Sequence, residues 1–302
     1  MERLELFALP CAERLPILNE IGIQTVINGP IPVSADGEPI LGLAPELDNF
    51  FVACGFTAGI AASGGAGEAM ADWILDGDPG MDLWAFDVRR FGRPHSTGRY
   101  LEERAIEAYG NYYSIHWPGA ENEVGRGLRR SPLHEHLKAA GAVFGARFGF
   151  ERPLCFPDPG AGRKEIPSFE DKPSWFDQVA KEHRQIREGV ALIDQTSFCK
   201  FTIEGPGATA FLDTNCANRI AGEPGRCIYT TMLNERGGVE AEVTLLHLSP
   251  ERFVMISGSA FGVRDSNWVR RHLPDGSPIA LTDVTSGWAV LNLCGPRSRE
   301  VL

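Results

Sequence analysis

Two stretches of this chain hold residues whose types and spacing suit chemistry. Along VEAEVTLLHL, Glu240 and Glu242 fall on one face of an extended segment, with Val239, Ala241 and Val243 on the other. Taken alone, that pair reads as a solvated outer face. In ACGFTAGIAASGGAGEAMADWI, from Ala53 to Ile74, an apolar run (Phe50 to Cys54) meets a glycine turn and then a helical pattern. Ile60, Met70, Trp73 and Ile74 fall roughly on one stripe of it. Gly64, Gly65 and Gly67 lie inside the same pattern, and each costs about 1 kcal/mol against alanine in a helix interior. Close approach of another body to the helix backbone is the natural reason for them. The turn offers backbone N–H groups at a positive helix end, which suits an electron-rich group. Tight helix–sheet packing without a ligand is the alternative.

The remaining chemistry-bearing residues are scattered. Cys11, Cys54, Cys155, Cys199, Cys216, Cys227 and Cys294 are odd in number and form no CxxC pair, so reduced core thiols are expected rather than a disulfide framework or zinc ribbon. His134 and His136, two apart on an expected helix, point to different faces, and no metal site is expected. Arg126, Arg129 and Arg130 form the one dense basic cluster, read as a solvated face or salt bridges to a neighbouring segment.

Composition bounds the setting of these residues. The 302 residues suffice for two domains, and 43% hydrophobic residues for real cores. The net charge is −11, and residues 1–77 hold eleven acidic and two basic side chains, so −9 of it lies there. An acidic chain without a long basic stripe argues against nucleic acid. Charges or turn residues interrupt every apolar run, so no membrane span is expected. The opening MERLELFALPCAERL lacks the flank and cleavage site of a secretory signal, and the compartment expected is cytoplasmic, or the mitochondrial matrix in a eukaryote.

The elements that must position the candidates follow from the pattern. The first segment reads as helix (Ala12 to Ile21), strand (Thr25 to Asn28), turns, strand (Phe50 to Cys54) and helix (Gly59 to Leu75), stopped by DGDPG. A helical, aromatic-rich segment runs from Met81 to about Gly149, including SPLHEHLKAAGAVFGARFG, with Tyr109, Tyr112, Tyr113 and Trp117 as core and interface packing. Five prolines between Arg152 and Trp175 mark a semi-rigid connector. WFDQVAKEHRQIREGVALID reads as an amphipathic helix, and FCKFTIEGPGATAFLDTNCAN as strand, turn and helix. CIYTTML, VEAEVTLLHL and RFVMIS read as two consecutive hairpins through NERGG and SPE. FGVRDSNWVRRHL is a helix, followed by two strands and the opening of another helix.

Together, VINGPIPVSADGEPILGLAPELDNFFVA, the glycine-rich stretch and DLWAFDVRRFG resemble the C-terminal end of the flavin domain of the dimethylglycine and sarcosine dehydrogenases. LIDQTSFCKFTIEGPGA, YTTMLNERGGVEAEVT and WAVLNLCGPRSREVL resemble the folate-binding aminomethyltransferase domain fused to it in that family. The resemblance implies an α+β chain in three parts: the end of an FAD-dependent oxidoreductase domain (1–77), a central linker domain (78–135) and an aminomethyltransferase-like folate domain (136–302). No GxGxxG follows a strand, and the resemblance implies that the family's flavin-attaching histidine belongs to the same missing part. The expectation is therefore an internal fragment of a larger enzyme, binding FAD weakly or not at all by itself.

The resemblance places Phe56, Thr57, Ala58, Gly59, Ile60 and Ala61 against the flavin, with Gly42 in a neighbouring turn of the same site. It places Tyr229 and Glu242, thirteen positions apart, at the tetrahydrofolate site, where the carboxylate takes the proton released as a folate nitrogen attacks an iminium carbon. The glycine-cleavage enzymes carry aspartate there, one methylene shorter. The implied activity is oxidative demethylation of a small methylated amino acid with transfer of the one-carbon unit to tetrahydrofolate. A non-catalytic relative, like the regulatory subunit of pyruvate dehydrogenase phosphatase, is the alternative.

Overall fold

The structure is a computed structural model and describes residues 2–117, 119–157, 172–173 and 175–302. Most of the proline-rich connector expected between Arg152 and Trp175 lies outside the described residues. The chain divides into two units, one up to Pro32 and one from Val33 onward.

The first unit holds helix α1 (Glu2–Arg14) and a 3-10 turn (Pro16–Asn19). The helix expected at Ala12 to Ile21 is thus displaced toward the N-terminus. Pro16 explains the stop: it lacks an N–H and excludes the helical conformation for Leu15, which sits at φ −131° and ψ 83°. The strand expected at Thr25 to Asn28 does not form; those four residues are exposed, with no ladder partner.

In the second unit, β1 (Ile40–Leu43) and β2 (Phe51–Cys54) pair antiparallel, and α2 (Ile60–Asp76) follows. α2 buries Ala69, Met70 and Trp73 against Leu41 and Leu83. Ile60 and Ile74 leave the expected stripe and are exposed. The reason is angular: thirteen residues at about 100° each put Ile60 roughly 220° from Trp73. Gly42, expected in a turn, lies within β1 at φ 103°, and a Cβ there would stand 2.5 Å from the Trp73 ring. Only glycine leaves room for the indole against this strand.

Beyond α2 come α3 (Gly98–Gly110), α4 (His134–Ala139) and the hairpin β3 (Val143–Arg147) with β4 (Phe150–Cys155). The helix expected through SPLHEHLKAAGAVFGARFG therefore ends early. Gly141, at φ 90°, breaks it, and the chain beyond finds a strand partner in β4. Tyr113 is exposed rather than core, and packs edge-on against Tyr112. The basic cluster is spent locally: Arg126 pairs with Glu151 at 2.5 Å, Arg130 with Glu135 at 3.4 Å, and Arg129 lies over the Phe150 ring.

Next come α5 (Phe176–Glu188) and β5 (Ala191–Asp194). The helix expected through Asp194 stops at Gly189, because β5 pairs with β11 (Leu291–Cys294). Between them stand β6 (Cys199–Glu204), α6 (Ala208–Asn215), β7 (Cys227–Leu233), β8 (Val239–Ser249), β9 (Arg252–Ser257), α7 (Gly262–His272) and β10 (Ala280–Asp283); α8 (Ser298–Val301) follows β11. Five of these strands form an antiparallel sheet in the order β10-β6-β9-β8-β7. Alternation sets its faces: Ala241, Val243 and Leu245 of β8 join Phe201, Ile203, Phe253 and Met255 in one core under α6 and α7. All seven cysteines are free; Cys199 and Cys216 are buried, whereas Cys11, Cys54 and Cys227 are exposed. Burial pushes the Cys199 thiol up to about 11 and the Cys216 thiol up to about 12.

Candidate functional sites

The outer face of the five-stranded sheet brings Tyr229 and Glu242 together. Tyr229 stands opposite Thr244, and Glu242 opposite Thr231, so the two side chains are diagonal neighbours on adjacent strands. The Tyr229 hydroxyl donates to Glu242 Oε1 at 2.5 Å. Tyr229 is 60% exposed, so the pair faces solvent and is open to a ligand. The bond to the carboxylate raises the phenol above its ordinary range, since ionising it would set two negative charges side by side. A carboxylate oriented by one hydroxyl keeps its other oxygen free to accept a proton.

Glu240, expected on the same face, is the extra residue at a register shift, where Met232 pairs Ala241 but Leu233 pairs Val239. Simple alternation fails there, and Glu240 reaches α7 instead. It accepts from Asn234 Nδ2 at 2.9 Å and pairs with Arg264 of α7 at 3.2 Å. Sequence reading passed over Asn234 and Arg264. The polar turn between the hairpin strands was a signal for Asn234; Arg264, 24 residues beyond Glu240, gave none. His134 is buried against Phe144 and bonds Glu135. Among the described residues no three His, Cys, Asp or Glu side chains converge on a metal-sized site.

The second candidate is the turn between β2 and α2. Ala58, Gly59, Ile60 and Ala61 are exposed, and Phe56 and Thr57 are half-buried. Gly59 is the N-cap, at φ 43° and ψ −112°, with no side chain capping the helix. The amides of Thr57, Gly59 and Ala61 donate to carbonyls of the same stretch, those of Gly55, Phe56 and Ala58; Ala58 and Ile60 are not among these donors. Gly64, Gly65 and Gly67 have nothing within 4 Å of where a Cβ would stand. That open backbone face fits a flat group laid against it. Phe56 and Ala58 also line an apolar cleft of about 300 Å³ with Leu41, Leu83, Phe86 and Tyr112. Gly42 serves packing beneath Trp73 and does not line that cleft.

A larger cleft of about 1150 Å³ separates the end of α2 and the 78–89 segment from the β7–β8 turn and α7. Asp78 pairs with Arg236 across it, and Asn267 Nδ2 donates to the Pro45 carbonyl at 3.0 Å. Asp265, buried one turn into α7, accepts from the Ser257 hydroxyl. Burial raises its carboxyl to about 6, against the opposing pull of Ser257, Arg264 and Arg89.

Two protein families match the chain. The family described as FAD dependent oxidoreductase central domain matches residues 76–131, and GCVT N-terminal domain matches residues 133–302. The 4-methylaminobutanoate oxidase (formaldehyde-forming) of Paenarthrobacter nicotinovorans is 36% identical over 289 residues, covering 95% of this chain and 35% of that protein. The mitochondrial dimethylglycine dehydrogenase of Rattus norvegicus is 36% identical over 292 residues, covering 96% of this chain and 34% of the relative. The mitochondrial pyruvate dehydrogenase phosphatase regulatory subunit of Mus musculus is 35% identical over 297 residues, covering 96% and 34%. The chain thus spans about a third of the length of these curated relatives. With a GCVT N-terminal domain over more than half its length, preceded by an oxidoreductase central domain, the chain belongs to the dimethylglycine and sarcosine dehydrogenase family of fused α+β proteins.

Proposed function

We propose that this chain is part of a flavin-dependent dehydrogenase or oxidase of a small N-methylated amino acid, which passes the oxidised one-carbon unit to tetrahydrofolate. The observation that carries the reading is the Tyr229–Glu242 pair, bonded at 2.5 Å on an exposed sheet face of a GCVT-type domain. Bound FAD would accept a hydride equivalent from the N-methyl group, leaving an iminium. Phe56, Thr57, Ala58, Gly59, Ile60 and Ala61 would hold the flavin edge, supplying backbone dipole at the start of α2. On the folate side a nitrogen of tetrahydrofolate forms a bond to the iminium carbon, and Glu242 takes the proton that nitrogen releases. Tyr229 holds the carboxylate for this and offers its ring to the bound folate. Glu242 returns that proton to the amine nitrogen as the carbon–amine bond breaks. The second folate nitrogen closes on the carbon and gives its proton to solvent, and the demethylated amine leaves.

The setting we propose is cytoplasmic, or the mitochondrial matrix in a eukaryote, with neither nucleic acid nor membrane as partner. No helix among the described residues is long and apolar enough to cross a membrane. A regulatory, non-catalytic role is the competing reading, supported by the similarity to the phosphatase regulatory subunit. Calorimetry of tetrahydrofolate with the 302-residue chain separates them. Binding that weakens about three- to tenfold in Tyr229→Phe, the worth of about one hydrogen bond, supports the enzymatic reading. Absence of any folate binding, with the fold intact, would favour the regulatory one.

A further inference from the structure

The β7–β8 turn is gripped from both sides. Asn234 Oδ1 accepts from the backbone N–H of Arg236 at 3.1 Å and of Gly238 at 2.8 Å, closing the turn. Its Nδ2 donates to Glu240 at 2.9 Å, so one amide ties the turn to the strand bearing Glu242. The other oxygen of Glu240 meets Arg264 of α7, with the two side chains only 24% and 26% exposed. At that burial the pair is screened less than a surface ion pair. Arg264 lies over the Trp84 ring at 5.7 Å, and Trp84 packs on Phe261 at 4.9 Å. A continuous set of contacts therefore runs from Trp84 in the linker through Arg264, Glu240 and Asn234 to the strand two residues before Glu242.

We propose that Asn234 and Glu240 are positioning residues for Glu242, held in place from the linker side by Arg264. The proposal rests on the folate-site reading of Glu242. Charge gives the arrangement a second effect. Residues two apart on a strand lie about 7 Å from each other along it, so an unpaired Glu240 would repel Glu242. Arg264 offsets that charge and leaves Glu242 directed only by Tyr229. The sequence alone assigns Glu240 no such part, because its partners lie in the turn and on α7.

The Tyr229 phenol reports the position of Glu242 directly, because their hydrogen bond raises its titration. The chain has only five tyrosines, so carbon-13 NMR of ring-labelled tyrosine, assigned with Tyr229→Phe, follows it as pH rises. Asn234→Ala and Glu240→Gln are expected to lower the Tyr229 titration toward that of a free tyrosine. Each should weaken tetrahydrofolate binding about three- to tenfold. Arg264→Lys, which keeps the charge that meets Glu240, should stay near wild type, whereas Arg264→Leu leaves the Glu240 charge unpaired to repel Glu242 and should lower the Tyr229 titration by drawing Glu242 away from it. Should Asn234→Ala fail to fold, Glu240→Gln and the Arg264 pair still decide, because they leave the turn bonds intact. An unmoved Tyr229 titration in Glu240→Gln and Arg264→Leu, with Glu242→Gln shifting it, overturns the positioning role and leaves the folate site standing. An unmoved titration in Glu242→Gln itself overturns the Tyr229–Glu242 pair, and the positioning role with it.

Discussion

Asp265 and Glu242 are both carboxylates, and their surroundings set them to different tasks. Glu242 is exposed and bonded by a phenol, whereas Asp265 is 2% exposed and bonded by Ser257. For Asp265 desolvation outweighs that hydroxyl and the nearby Arg264 and Arg89, so the folded carboxyl titrates near about 6 against an ordinary 3.8. The folded state therefore binds more protons than the unfolded state between those values. Its stability falls as pH rises through that window and stays reduced above it. The gap corresponds to about 3 kcal/mol. Asp265→Asn keeps an oxygen to accept from Ser257 and has no proton to lose. Urea unfolding should find it more stable than wild type at pH 8, by up to about 3 kcal/mol, and nearly equal to it at pH 4. Equal pH profiles for the two proteins would show that Asp265 is solvated in the folded chain.

At the scale of elements, the join between β1 and α2 illustrates how one backbone position decides a packing. Gly42 combines φ 103° with a Cβ position 2.5 Å from the Trp73 ring. Gly42→Ala should cost about 2–4 kcal/mol through overpacking and backbone strain. Gly64→Ala, where nothing stands within 4 Å, should instead stabilise the chain by up to about 1 kcal/mol. Denaturant midpoints of the two variants moving in opposite directions would establish the contrast; a tolerated Gly42→Ala would refute it. The same comparison explains what the sequence reveals. β6 to β9 are legible because their alternation and turn residues agree with the sheet that buries them. Residues 191–194 and 143–147 are misread as helix because their strand character comes from distant partners, β11 and β4. Gly42 reads as a turn glycine because the indole that requires it lies 31 positions later. Glu242 is found through the family resemblance, whose motif sets it thirteen positions after Tyr229, but the hydroxyl bond between them depends on strand register, which local pattern does not supply.

At the scale of the whole molecule, the chain sets an open glycine-rich helix start and a carboxylate-bearing sheet face on either side of a linker. Under the function we propose, these two faces share one purpose: oxidation beside the first, and capture of the carbon at the second. The account stands on Glu242 handling the proton of that capture. It is tested most directly in the flavin-loaded enzyme that carries this chain, given an N-methylated amino acid and tetrahydrofolate. The quantity to measure is the division of product between methylene-tetrahydrofolate and free formaldehyde. Glu242→Gln should leave amine oxidation by an artificial electron acceptor nearly unchanged. Folate-coupled product should fall by about 10²–10⁴-fold, the usual worth of a general base, with formaldehyde released in its place. An unchanged yield of methylene-tetrahydrofolate from Glu242→Gln would contradict the account and return Glu242 to an ordinary exposed strand residue.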